Sequence, residues 1–131
     1  MQEIERVLVH PSLLGDFPDK EQQWAKWLAQ PTTREIPVND YEGLADTSYL
    51  EVKDEQTSEY LVKDQLFVGG KVGPVCVKTH LIALAQHPRV ISGEVRLFLD
   101  LSATLARDRD RLNAILETIQ QEYGVVINLV E

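Results

Sequence analysis

The segment Gly69-Gly70-Lys71-Val72-Gly73-Pro74 is the strongest punctuation in the sequence. A glycine-rich turn that opens a helix aims backbone N–H groups at the positive end of the helix dipole, where a phosphate or carboxylate can sit. Lys71 would add a full charge. Gly69, Gly70, Lys71 and Gly73 are therefore the candidate ligand-binding residues. The segment falls short of the phosphate-binding loop GxxxxGK[ST], because Pro74 and Val75 follow Gly73, and GxGxxG is absent. Glycines packed this closely are also what a sharp strand-to-helix turn needs for positive φ. That structural reading is the preferred one.

Cys76 and His80 come next. On a helix they would sit four apart on one face. A thiol beside an imidazole at a helix N-terminus has a lowered pKa and can act as a nucleophile. An i, i+4 pair supplies no oxyanion hole, however, and a free cysteine is usually packed, so a packed Cys76 and a partly exposed His80 are expected. The three histidines, His10, His80 and His87, have no HxxxH or HExxH spacing, and no metal site or cofactor is expected. Asp100 ends a strand-like segment, where α/β sites often lie, but a turn role before the last helix is the simpler reading. Arg107-Asp108-Arg109-Asp110-Arg111 reads as a solvated helix start with weak ion pairs. Ser92-Gly93 lacks the preceding glycine of GxSxG. No catalytic residue is nominated.

Periodicity places these residues on elements. Ile4 to Val9 reads as a first strand, broken at His10-Pro11. Pro18 to Gln30 reads as a helix, with Asp19 as N-cap, Gln22 at the capping-box spacing and Trp24, Trp27 and Leu28 on one face. The tryptophans are expected to grip a sheet rather than to line a peptide groove. Residues 32–68 look like short strands and turns, with a polar hairpin loop over residues 54–58, and predict an antiparallel meander. Residues 74–86 read as a buried helix, with a strand at residues 75–79 as the rival. Residues 90–101 form the clearest strand, with Val95, Leu97 and Leu99 opposite Glu94, Arg96, Phe98 and Asp100. Arg107 to Tyr123 contains the clearest helix, closed by Gly124, and Val125 to Val130 is the last strand.

The last three elements form a β-α-β unit that resembles one half of a split plait, the ferredoxin-like arrangement. The expected fold is thus α+β: a mixed sheet with a central antiparallel meander and about three helices packed on it. It is a single compact domain over residues 1–131.

Composition narrows the function classes. Hydrophobic residues make up 44% of the chain, enough for one real core. A single cysteine excludes an internal disulfide and fits a reducing compartment. The first residues show no signal-peptide pattern, and no apolar run approaches the ~20 residues of a membrane span. A cytoplasmic location is the expectation. Residues 1–65 carry the whole net charge of −8, and the remainder is balanced. Such a surface disfavours nucleic acid and anionic membranes. These features, with no strong catalytic pattern, point to a small acidic protein–protein interaction module of adaptor, dedicated-chaperone or inhibitor type. Its partner would be a protein, basic if it pairs with the acidic half, held at Asp40, Glu42 and Asp46. Open strand edges also permit a homodimer. The competing reading is a sensor or enzyme that binds an anionic small molecule at the glycine turn.

Overall fold

A computed structural model describes the chain except residues 1, 2, 12, 38–44, 72 and 107 and the side chains of residues 73 and 74. In chain order the elements are β1 (Arg6–Val9), α1 (Pro18–Leu28), β2 (Thr33–Ile36), a 3-10 turn (Ser48–Glu51), β3 (Gln65–Gly70), a π-helical turn (Gly73–Val77), α2 (Lys78–Ala85), α3 (Pro88–Ile91), β4 (Arg96–Thr104), α4 (Arg109–Tyr123) and β5 (Ile127–Val130). The five strands form one sheet in the order β2-β1-β3-β4-β5. Every neighbouring pair is parallel.

This overturns the expected α+β fold with its antiparallel meander. The protein is α/β, with four α-helices rather than about three among the described residues. Parallel neighbours need long crossover connections, usually helical. The crossover from β2 to β3 has no α-helix among its described residues. It uses the 3-10 turn and irregular chain, whose Tyr49, Leu50, Leu61 and Val62 are buried. Those apolar residues carry the alternation that suggests strands. One fragment of the expected hairpin exists, a single antiparallel bridge between Lys53 and Tyr60. The β4-α4-β5 unit does form, and its two strands pair in parallel. An all-parallel sheet nevertheless rules out the ferredoxin-like plait.

The strand expected from residue 90 begins only at Arg96. Residues 88–91 are helical, and Gly93 turns the chain with φ +84°. His87 caps this short helix by accepting the Arg89 N–H on Nδ1 at 3.1 Å. Arg89 then secures the crossover. Its guanidinium donates to the carbonyls of Leu50 (2.5 Å), Val62 (2.8 Å) and Lys63 (3.1 Å), pairs with Glu94 and lies over the Tyr60 ring. A charge-assisted guanidinium with several carbonyl acceptors can be buried without being left unpaired.

The two faces of the sheet are covered unequally. Val7 and Val9, Leu66 and Val68, and Leu97 and Leu99 point to one face. There they pack with Leu81 and Leu84 of α2 and with Leu112, Leu116 and Ile119 of α4. Among the described elements, the second face has α1 alone. Trp24 and Trp27, both buried, pack there with Leu8, Ala103 and Leu105. The Trp24 indole N–H donates to the Ala103 carbonyl at 2.8 Å, as a buried indole must find an acceptor. Gly69 lies beneath this helix, since a Cβ at that position would stand 2.9 Å from the Ala103 Cβ and 3.2 Å from the Trp27 ring.

Candidate functional site

The chain steps from β1 out to β2 and returns on the other side of β1 as β3. Parallel α/β sheets bind ligands in the crevice outside the strand C-termini at such a reversal. The glycine segment lies there. Gly69 and Gly70 are the last residues of β3 rather than a free turn. Gly70 takes φ +133°, and a Cβ on it would overlap the backbone of Val9. The Gly70 carbonyl accepts from Leu105 N–H at 2.9 Å, and the Lys71 N–H donates to the Val9 carbonyl at 2.9 Å. Close approach of backbones thus accounts for both glycines, and the Lys71 N–H is committed to the sheet. The Lys71 ammonium lies 5.6 Å from the Phe17 ring centroid. Gly73 begins the π-helical turn that leads into α2.

The neighbouring loop at the same edge is closed by its own carboxylate. Glu21 accepts the N–H groups of Gly15 and Phe17, both at 2.7 Å, so a side chain stands where an anion at the start of α1 would sit. Asp19, expected as the cap, lies inside the helix, and Phe17 holds the N-cap position without a side-chain bond. Leu13, Leu14 and Val75 are exposed on this edge.

Cys76 and His80 do not form a pair. His80 is buried, not partly exposed, and its Nε2 lies 2.7 Å from the Tyr49 hydroxyl. Burial pushes the His80 pKa down to about 4 and raises that of Tyr49. The two rings are therefore a neutral hydrogen-bonded pair inside the closed face. His10, in the left-handed region at φ 48°, also has a pKa lowered by burial. Asp46 lies near enough to His80 to favour its proton. Its own pKa is lowered by hydrogen bonds from Ser48. Of the acidic partner-binding candidates, only Asp46 is described, and it is exposed. Asp40 and Glu42 lie outside the described residues. Asp100 does not end its strand or lead into the last helix: it lies inside β4, beside the register shift, where its carboxylate accepts the Ser102 N–H at 2.9 Å and hydroxyl at 2.6 Å. Among the described residues no group of three His, Cys, Asp or Glu is placed to hold a metal ion. None of their helices is long and apolar enough to cross a membrane.

The less expected surface is on the second face. α1 starts over β4, where Lys20 donates to the Leu101 and Ser102 carbonyls at 2.9 and 3.2 Å. It ends beside β2, where Thr33 N–H donates to the Gln30 carbonyl at 3.2 Å. A helix on this diagonal leaves the N-terminal parts of β3 and β4, and β5, with no cover among the described residues. Phe67 and Phe98 are register partners there, stacked with ring centroids 4.8 Å apart and only partly buried. Phe67 touches the edge of the tryptophan cluster, whereas Phe98 belongs to neither core. Asn128 is the next neighbour, its side chain donating to the Leu97 carbonyl at 3.1 Å.

A shallow cavity of about 170 Å³ adjoins Phe67, lined also by Glu3, Glu5, Arg6, Lys63, Asp64 and Gln65. Its two cations are engaged. Arg6 donates to Glu5 at 3.2 Å and to the Thr32 hydroxyl at 2.9 Å, and Lys63 pairs with Glu59 at 3.7 Å. Glu3 and Asp64 make no ion pair among the described residues.

None of Phe67, Phe98, Glu3 or Asp64 stands out as a site from residue type alone. The available signal is in β4, where a phenylalanine shares the polar face with Arg96 and Asp100. No protein-family model matches the chain, and no curated protein or solved structure shows significant similarity to it.

Proposed function

We propose that the protein is a docking module that binds another protein through the uncovered part of the second sheet face. One observation carries this reading. The stacked Phe67–Phe98 pair lies on a part of a parallel sheet that no described helix covers. Parallel sheets are ordinarily covered on both faces, because each strand presents apolar side chains to both. A bare apolar patch on such a sheet, rimmed by charged groups, has the character of an interaction surface. The acidic composition, net charge −8, favours a basic partner and raises its association rate.

The test is affinity capture from lysate of the source cells with three tagged proteins: wild type, Phe98→Ser and Leu14→Ser. A stoichiometric partner held by wild type and Leu14→Ser but lost by Phe98→Ser is the expected result. Equal capture by all three, with all three melting cooperatively, removes the second face from consideration.

A second reading keeps one observation in its favour. Lys71 and the start of the π-helical turn stand at the strand-order reversal, the usual ligand position in α/β sheets. An anionic ligand there would raise the melting temperature of wild type at millimolar inorganic phosphate but not that of Lys71→Ala. No shift in either protein ends that reading.

A further inference from the structure

We infer that the occupant of the bare strip is an amphipathic helix on a partner protein, carrying a Lys or Arg in its last turn. This rests on the docking reading above and adds the chemistry of the partner.

Shape comes first. A helix crossing the strip from β5 to β3 passes over two strand spacings, or ~10 Å, in about two turns of 5.4 Å pitch. The strip lies alongside α1, which crosses the same face from β4 to β2. A second helix packed beside α1 would run over Asn128, Phe98 and Phe67 and end at the cavity beside Phe67. The Phe67–Phe98 spacing of 4.8 Å is close to the ~5–6 Å between helix side chains three or four residues apart. Two adjacent apolar side chains of one stripe can each meet a ring.

Charge selects what the helix end must carry. The cavity holds three carboxylates, and its two cations already pair with Glu5 and Glu59. An incoming Lys or Arg would meet Glu3 and Asp64, which make no ion pair among the described residues. The last turn of a helix is also where basic side chains are favoured, since they offset the negative end of the dipole. Arg96 is exposed on the same face as Phe98 and in register with Gln65. It would stand near the terminal carbonyls of the docked helix and complement the same dipole.

A second copy of this chain does not supply such a helix. The apolar stripes of α1 and α4 are consumed by its own two cores. Among the described residues, no basic group lies in the last turn of α4, and α1 has only Lys26.

The experiment is selection from a displayed library of amphipathic helices about four turns long, with a fixed Leu/Ala stripe and a randomised last turn. Purified winners are then titrated by fluorescence anisotropy. The expected winners carry Lys or Arg in the last turn. They lose measurable binding to Phe98→Ser and weaken about tenfold on Asp64→Lys, the loss of one rim charge pair. A winner with Glu in place of its basic residue recovers affinity for Asp64→Lys. Asp64 is exposed at the rim, so this variant tests the charge preference even if Phe98→Ser folds poorly. Winners that need Phe98 but show no basic preference overturn the proposed partner chemistry and leave the docking reading standing. No winners, or winners indifferent to Phe98→Ser, overturn both. Self-association of the wild type that Phe98→Ser abolishes assigns the strip to a second copy and overturns the proposal.

Discussion

The two faces of this sheet are built from alternate residues of the same strands, yet they end in different states. On the closed face Leu97 and Leu99 are fully buried under α2 and α4. On the other face Phe98, between them, belongs to no core. The difference does not lie in the strands. It comes from connectivity: the described apolar residues of the crossovers β2-β3, β3-β4 and β4-β5 pack on the closed face, whereas among the described residues the other face receives the helix of β1-β2. A single short helix anchored by two tryptophans cannot cover five strands. The closed face holds the larger core, and on the other face Phe67 and Phe98 stay only partly buried.

The largest effect that would test this contrast is at α1. Trp24→Ala removes the fully buried indole and its bond to Ala103, and a loss of about 4 kcal/mol is expected in denaturant unfolding. A loss below about 1 kcal/mol would mean that α1 is not a fixed cover.

Acid should act on the closed face. His80 titrates near 4 in the folded protein, below the ordinary 6.5, so the unfolded chain binds that proton more readily. Stability from this group is complete above about pH 6.5, falls as the pH drops toward 4 and levels off below it. The loss across that window is at most about 3 kcal/mol. Melting series of wild type and His80→Gln should diverge in slope there, and parallel slopes would contradict a buried neutral imidazole.

Adjacent substitutions in β4 sharpen the comparison further. Leu99→Ala on the closed face is expected to cost about 3 kcal/mol and Phe98→Ala on the bare face under about 1 kcal/mol. Equal costs would show that Phe98 is covered in solution. A small effect is also expected at Glu21. Replacing it with Gln leaves one oxygen for the two N–H groups of Gly15 and Phe17, a loss of about 1 kcal/mol. No change would mean that water serves those donors equally well.

Most element positions could be read from pattern. The stripe of Leu112, Leu116 and Ile119, with Asp108 capping through the Arg111 N–H and Gly124 at φ +68°, makes α4 legible without its neighbours. The tryptophan face of α1 is legible in the same way, although its cap is not. Glu21 reaches back to the loop, a contact that depends on how residues 10–17 fold. The antiparallel reading of residues 32–68 fails for a specific reason. Tyr49, Leu50, Leu61 and Val62 are apolar because the β2-β3 crossover packs on the sheet, and not because they lie in strands. A short apolar pattern of this kind does not distinguish a strand from a packed connection. The glycine segment reads as a turn, with an anion site as its rival. In the structure Gly69 and Gly70 allow Trp27 and Val9 to approach β3, which no local rule can show.

The sequence alone determined that one acidic domain forms, where its main helices lie and which side chains are apolar enough to be buried. Those properties depend on local periodicity, capping and composition, each set within a few neighbouring residues. The tertiary structure alone decided that the strands run parallel, that the described apolar residues of three crossovers pack on one face and that Phe67 and Phe98 meet on the other. Those outcomes depend on which strands pair across long separations, and a strand's own residues specify its faces without specifying its neighbours.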